Sequence, residues 1–536
     1  MKARIAVTGT RRRYMLAAAA AAALAVTPVV VQVAPADAAI PGAPWSKNLL
    51  GGDKANFEQS AGGWIGIGKT GVRNERLASY TGKGALMVVN RGATPHLVIA
   101  QSGGGPASFT PATPGYRYRG YFYVRALTDV RPVAGALTFF DANGQSIETV
   151  IGLYLQDNAN KWERSTEVAA VAPPNAAYVA LRAAIKGAVP LEAHLVDAAY
   201  LAKAPGGSRN LVGPLRTTGN KIYDANNKPV IFRGFSRTGL EGQVLDDGTS
   251  VAKPPTADDI THAKLWGANL IRVTLGAQKW LPGCYQDPAY ISKVDEAVQI
   301  ITSRGMVALL DLHFNTIKAC GRAGQQPMAD APNSLTFWSQ VAARYKNQPL
   351  VAFDLYNEPH DITEAVWRNG GTLTWKGTTY QAAGMQQMYN AVRNAGANNL
   401  VIATGMSWGN LPPNNGPLAG TNIIYGIHSY TCPQTPPPNC TGHLNPWEGS
   451  VFLKRWVNFA KTKPVMVTEF GWPNPADGRY VESLLTYAEA HGWGWQLFTW
   501  GASTIGRFAL LSTAGPDSNY QPAPVSMPAL VRFPGS

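Results

Sequence analysis

Charged residues are scarce. Asp, Glu, Lys and Arg make up 15% of the 536 residues, against roughly a quarter in an average soluble domain. A coiled coil or a charged, disordered chain is thereby excluded. Cysteine is scarce too. Cys284, Cys320, Cys432 and Cys440 are the whole supply, all in the second half of the chain. None has the C-x-x-C spacing of a zinc or redox site, and three pairings are open to them. The expected set is Cys432–Cys440, across a Pro-rich stretch, with Cys284–Cys320. Such bonds belong in an oxidising compartment. Acids are outnumbered, 33 against 47 bases, for a net charge of +14. Long apolar runs are missing after the N-terminus, so the mature chain is expected to be soluble and off the membrane.

What the N-terminus holds accounts for part of that charge. Lys2, Arg4, Arg11, Arg12 and Arg13 precede an uncharged, Ala-rich stretch from Tyr14 to Val31, and Ala36-Asp37-Ala38 follows. A basic region, an apolar region and a small-x-small site form an export signal, expected over residues 1–38. Thr10-Arg11-Arg12-Arg13-Tyr14-Met15 also resembles a twin-arginine signal. The expected location is therefore secreted and extracellular. The remaining basic residues are dispersed, so nucleic acid is not an expected partner.

Two rhythms divide the rest. Residues 48–204 hold short alternating runs, such as Tyr116-Arg-Tyr-Arg-Gly-Tyr-Phe-Tyr-Val124, separated by Gly, Pro and Asn turns. That pattern predicts an all-β sandwich of jelly-roll type. Residues 205–215 read as a linker. Over 216–530 strand-like runs alternate with helical stretches. The runs are Val230–Phe235, Leu270–Leu275, Val307–His313, Val351–Asn357, Leu400–Thr404, Ile423–His428, Pro464–Glu469 and Trp495–Trp500. Helices are expected over Ile291–Ser303, Leu335–Tyr345 and Tyr480–Ala490, with Gly267, Gly305 and Gly492 as stops. Eight such units predict a (β/α)8 TIM barrel, making the chain multidomain.

Polar residues gather at the C-terminal ends of these runs, the face of a barrel that carries active sites. Arg272, His313, Asn357, Glu358, His428, Tyr430, Glu469 and Trp500 all fall there. Two carboxylates, at the ends of strands four and seven, would face each other across the mouth. Glycosidic hydrolysis needs such a pair: one carboxyl protonates the leaving oxygen, the other attacks or activates water. Glu469 near Arg272 and the Tyr430 hydroxyl would be held ionised, which suits a nucleophile. Asn357 can bond a sugar 2-hydroxyl. Trp500 offers a flat face for a sugar ring.

With these residues in place, 221–505 resembles glycoside hydrolase family 5, the cellulase family. Asn357-Glu358-Pro359 matches its acid/base motif and Glu469-Phe470-Gly471 its nucleophile motif. Arg272, His313, His428, Tyr430 and Trp500 match the other residues of its sugar subsite. The resemblance implies Glu358 as acid/base, Glu469 as nucleophile, double displacement with retention, and no cofactor for catalysis. It implies a polysaccharide or oligosaccharide substrate, with an endo-β-1,4-glucanase acting on cellulose as the leading reading and a monomer as the expected state. A β-mannanase, xylanase, other β-glucanase or aryl-glycosidase on the same fold is the alternative. A non-catalytic glycan-binding protein is a further one. Trp280, Trp408 and Trp472 follow strand ends and are candidate sugar platforms.

The N-terminal region resembles the jelly rolls of carbohydrate-binding families 4 and 9 at Asn48-Leu-Leu50, Asn56-Phe-Glu58, Gly63-Trp64 and Leu195-Val-Asp197. The resemblance implies a structural calcium on Glu58 and Asp197, although Ala198 stands where a second acid is usual. Trp64, Tyr80, Tyr121, Tyr123 and Trp162 are its candidate glycan-stacking aromatics. The alternative is a purely structural domain that orients the barrel.

Overall fold

The computed structural model describes residues 45–241, 254–282, 288–315, 325–430, 451–471, 478–500, 521 and 527–532. The export segment 1–38, the four cysteines and Trp472 lie outside the described residues.

The alternation in the first region produces two antiparallel sheets. One runs in the order Ile65–Ile67, His96–Gln101, Tyr178–Ala188, Pro132–Phe140, Ser146–Ile151. The other runs Glu163–Arg164, Arg117–Ala126, Ala193–Ala204, Ala85–Asn90, Thr70–Glu75. Period-two patterning decides which side chains meet between them. In Arg117–Ala126, Tyr118, Phe122 and Val124 join Leu137, Phe139, Val179, Leu181, Val196 and Leu201 in one buried core. Arg119, Tyr121, Tyr123 and Arg125 take the opposite face.

The second region closes into an eight-stranded parallel barrel. Its strands are β1 (Arg233–Leu240), β2 (Leu270–Gly276), β3 (Val307–Phe314), β4 (Val351–Asp354), β5 (Val401–Thr404), β6 (Ile423–Tyr430), β7 (Val465–Gly471) and β8 (Gly494–Leu497). Around it lie α1 (Ala257–Trp266), α2 (Tyr290–Thr302), α3 (Ala331–Tyr345), α4 (Met385–Asn394), α5 (Val451–Ala460) and α6 (Gly478–Ala490). Thr256 and Asp259 form a capping box at the start of α1, and Gly267 at φ 110° ends it. No helix among the described residues is long and apolar enough to cross a membrane.

Three details depart from the expected pattern. β1 starts at Arg233, because Pro229–Val230 pairs instead with Lys221–Tyr223 in a small sheet that includes Arg216–Thr218. Leu215, Ile222 and Val230 from this region pack with Leu270, Leu309, Ile402, Ile424 and Met466 of the strands, forming a second core cluster. The β5–β6 connection, 405–422, contains no helix. Pro412, Pro413 and Pro417 forbid one there. β8 stops at Leu497, three residues short of Trp500.

Residues 205–215 are bonded along their length to the barrel. Gly207 N donates to Leu265 O at 2.8 Å, Ser208 Oγ to Ala268 O at 2.6 Å and Leu211 N to Gly305 O at 2.9 Å. Arg117, wholly buried, reaches from the sandwich to three carbonyls: Pro205 at 3.3 Å, Trp266 at 3.3 Å and Leu530 at 3.1 Å. Burial pushes its guanidinium down to about 9. Leu530 belongs to α7 (Met527–Arg532), which packs against α6 and the strand Val168–Val171. The described residues form one compact body.

Candidate active site

Seven of the eight residues expected at the barrel mouth converge there. Arg272, from the middle of β2, is completely buried and organises the rest. Its Nη1 donates to Glu469 Oε1. Nε donates to Asp354 Oδ2 at 2.9 Å, and Nη2 to Asn357 Oδ1 at 2.7 Å. Nη2 also lies 3.0 Å from Asp311 Oδ1. The fixed fork of a guanidinium suits this multiple contact in a way an ammonium would not.

Glu469 receives three further partners. Tyr430 Oη donates to its Oε2 at 2.7 Å. His428 Nδ1 lies 3.6 Å from Oε2, and His313 Nδ1 lies 4.0 Å from Oε1. Burial opposes ionisation of Glu469. The charges of His428, Arg272 and His313 and the Tyr430 donor outweigh it, holding the carboxyl down at about 2. The converse acts on its partners. Burial lowers both His428 and His313, but adjacent carboxylates overcome this and raise them. Tyr430 is raised well above the usual phenol range, by burial and then by Glu469 and Glu358.

Glu358 stands in the turn after β4, its side chain 12% exposed against 4% for Glu469. His428 Nδ1 donates to its Oε1 at 3.0 Å, and Gln325 Nε2 donates to its Oε2. Glu358, His428 and Glu469 bring one ligand atom each within 4.8 Å of one another. The mouth therefore holds two close carboxyls in unlike settings, one clamped by charge and one nearer to solvent.

The profile of the family Cellulase (glycosyl hydrolase family 5) matches residues 223–504, more than half of the chain. The chain belongs to glycosyl hydrolase family 5. It is 29% identical over 216 residues to a manganese dependent endoglucanase, Eg5A, from Phanerodontia chrysosporium, covering 37% of this chain and 52% of the relative. It is 27% identical over 227 residues to endoglucanase Z of Dickeya dadantii, covering 41% and 45%. The chain thus spans about half the length of the curated relatives it matches. Among solved structures, a beta-glucanase from Saccharophagus degradans in complex with cellotetraose aligns at TM-score 0.46 and 20% identity, over 61% of this chain and 95% of that one.

Against this family background, several sequence expectations need correction. Trp500 offers no free face. It is 2% exposed, wedged against Phe235 and Trp266 with centroids at 4.8 and 5.0 Å, and its Nε1 donates to Asp259. Phe498, two residues earlier and partly exposed, is the aromatic that lies parallel to the His313 ring, 6.2 Å away. Trp280 is also core. It is 6% exposed, edge-on to Phe337, and donates to Gln340 at 3.1 Å. Trp408 remains: 40% exposed, it stacks on His360 at 3.6 Å, and its N donates to Pro359 O beside Glu358.

Glu58 and Asp197 do not fit a calcium site. Asp197 accepts the backbone N–H of Tyr80, Thr81 and Ala198, and Glu58 accepts that of Lys83. These carboxylate oxygens face donors, whereas calcium needs six to eight oxygens facing it. Burial, with Glu58 nearby, pushes Asp197 up to about 6. Most sandwich aromatics are likewise spent on internal contacts. Trp64 is core, donating to Lys54 O at 2.8 Å. Tyr80 stacks on Tyr123 at 3.6 Å with Trp162 edge-on, and Tyr121 lies between Tyr200 and Arg164.

Sequence reasoning missed Asp311, Asp354 and Gln325. The two aspartates sit in apolar strands, two and four residues before His313 and Glu358. No pattern marked Gln325.

Proposed function

We propose that the protein is a secreted retaining endo-β-1,4-glucanase, with Glu358 as general acid/base and Glu469 as nucleophile. The carrying observation is the pair of carboxyls, with oxygens inside the same 4.8 Å cluster. Retaining glycosidases place these groups about 5–5.5 Å apart, inverting ones about 6.5–9.5 Å apart to admit a water. The endoglucanase names of the curated relatives support the substrate class.

In the first half-reaction Glu358 gives its proton to the glycosidic oxygen. Glu469 Oε forms a bond to the anomeric carbon as the bond to the leaving sugar breaks. In the second, Glu358 takes a proton from water, the water oxygen attacks the anomeric carbon, and Glu469 leaves as carboxylate. No cofactor enters either step. The charges around Glu469 favour the anion that attacks and that departs. Asn357 is oriented for the sugar. Its Oδ1 is taken by Arg272, which leaves the buried Nδ2, without a partner among the described residues, as a donor for the 2-hydroxyl. Phe498 beside His313 and Trp408 beside the Glu358 turn offer apolar ring faces to a sugar.

The test is reducing-sugar release from cellulose, mixed-linkage β-glucan, mannan and xylan by the wild type, Glu358→Gln and Glu469→Gln. Release from β-1,4-glucan, abolished in both variants while their fold survives, is expected. Wild-type turnover in either variant would falsify the assignment. Preference for mannan or xylan would move the substrate and leave the pair standing.

A further inference from the structure

We propose that Gln325 is a positioning residue for Glu358, carried on a strap, residues 325–330, that a β-hairpin holds against the acid/base. The inference rests on the reading of Glu358 just given. The two oxygens of Glu358 are tied to different parts of the molecule. Oε1 meets His428 of the barrel wall; Oε2 accepts from Gln325, which lies outside any strand or helix.

The strap is fixed from both flanks of Glu358. Tyr356, two residues before it, donates its hydroxyl to Gln326 O at 2.6 Å. His360, two residues after it, donates its N–H to Pro327 O at 3.0 Å. The turn that carries the acid/base therefore also sets where Gln325 stands. A second support comes from the hairpin Gly371–Trp375 and Thr378–Ala382. Tyr380 Oη donates to Met328 O at 2.8 Å, and Asp330 bridges Ala382. Leu373, Trp375 and Tyr380 pack inward, while Thr372, Thr374, Thr379 and Gln381 face solvent. The hairpin is no part of the barrel sheet; its inner face buttresses the strap.

The chemistry gives the amide its purpose. Glu358 must be an acid in one half-reaction and a base in the other. The amide NH2 serves both states: it donates to Oε2 of the carboxylate, and to the same oxygen when the acid carries its proton on Oε1 and Oε2 is the carbonyl. With Oε2 tied in either state, the plane of the carboxyl is held and Oε1 keeps its aim at the leaving oxygen, which is where orientation counts.

The experiment is a leaving-group series on the full chain. Gln325→Ala, Tyr380→Phe and Glu358→Gln are compared with wild type on cellotetraose and on aryl β-cellobiosides of graded leaving-group acidity. A hydrogen bond to a charged group contributes about 1.5–3 kcal/mol. Gln325→Ala should therefore lose about 10- to 100-fold in kcat/KM on cellotetraose. On a dinitrophenyl cellobioside, whose departure needs no proton, it should stay within about twofold. Tyr380→Phe loosens the strap without touching Glu358 and should show the same asymmetry, at about 2- to 10-fold. Equal losses on both substrate classes, or no loss on either, overturn the proposal. Glu358→Gln separates the two readings. If it lacks the leaving-group dependence, the acid/base assignment fails and this inference with it. If it shows the dependence and Gln325→Ala does not, only the inference fails.

Discussion

Replacing Asp354 by Asn should stabilise the protein more at pH 8 than at pH 5. Asp354 shares the single positive charge of Arg272 with Glu469 and Asp311. Three buried carboxyls cannot all ionise against one guanidinium. Burial above all, and then the charge of Asp311, push Asp354 up to about 7, although Arg272 pulls the other way. Its unfolded value is near 3.8. Between those values the native state holds a proton that the unfolded chain has released, so stability falls as pH rises. Each pH unit is worth about 1.4 kcal/mol, so the window from pH 5 to 7 removes about 3 kcal/mol. Asn carries no such proton, and its Oδ1 can still accept from Arg272 Nε. Urea unfolding of both proteins at pH 5 and pH 8 measures this. The raised His313 and His428 also cost stability as pH rises through their folded values, in both proteins. The variant should gain about 3 kcal/mol relative to wild type on going from pH 5 to 8, and should keep its turnover at pH 5. An equal difference at both pH values would refute the charge count.

Tyr430→Phe removes a donor from Glu469 Oε2. A loss of about 10- to 100-fold in kcat/KM is expected. Because that donor favours the ionised carboxyl, the acidic limb of the pH profile should move upward; an unmoved limb would count against Glu469 as the nucleophile. Trp408→Ala strips the exposed ring beside Glu358. KM for cellotetraose should rise about 2- to 10-fold, with little change for cellobiosyl fluoride, whose leaving group is a single atom. Equal effects on both would remove Trp408 from the binding surface.

Much of the barrel could be read from the chain because its signals are local. Gly267, Gly305 and Gly492 end helices where a left-handed residue is needed, at φ 110°, 66° and 69°. Arg272, His313, Glu358, His428 and Glu469 stood out because polar residues closing apolar runs have few places to go except a barrel mouth. The errors arose where local pattern and three-dimensional limit diverge. Trp495–Trp500 looks like one strand, yet pairing stops at Leu497, so the last tryptophan turns into the core and Phe498 takes the mouth. Asp311 and Asp354 were hidden by the apolar residues around them, and only the position of Arg272 explains why a carboxylate is tolerated there. Gln325 acts through contacts made by Tyr356, His360 and Tyr380, distant elements that no spacing rule connects.

The contact from Arg117 to the carbonyl of Leu530 spans 413 residues of sequence. During synthesis the sandwich sheets emerge and pair long before α7 exists, since domains fold as units from the N-terminal side. Until α7 arrives, Arg117 lacks one of its carbonyls and the strand Val168–Val171 lacks its helical cover. Closure of the body around Arg117 is thus a late event in the life of the chain. A ribosome stalled before residue 530 would hold a sandwich with its side open, and protease sensitivity there would time the moment when the two regions become one body.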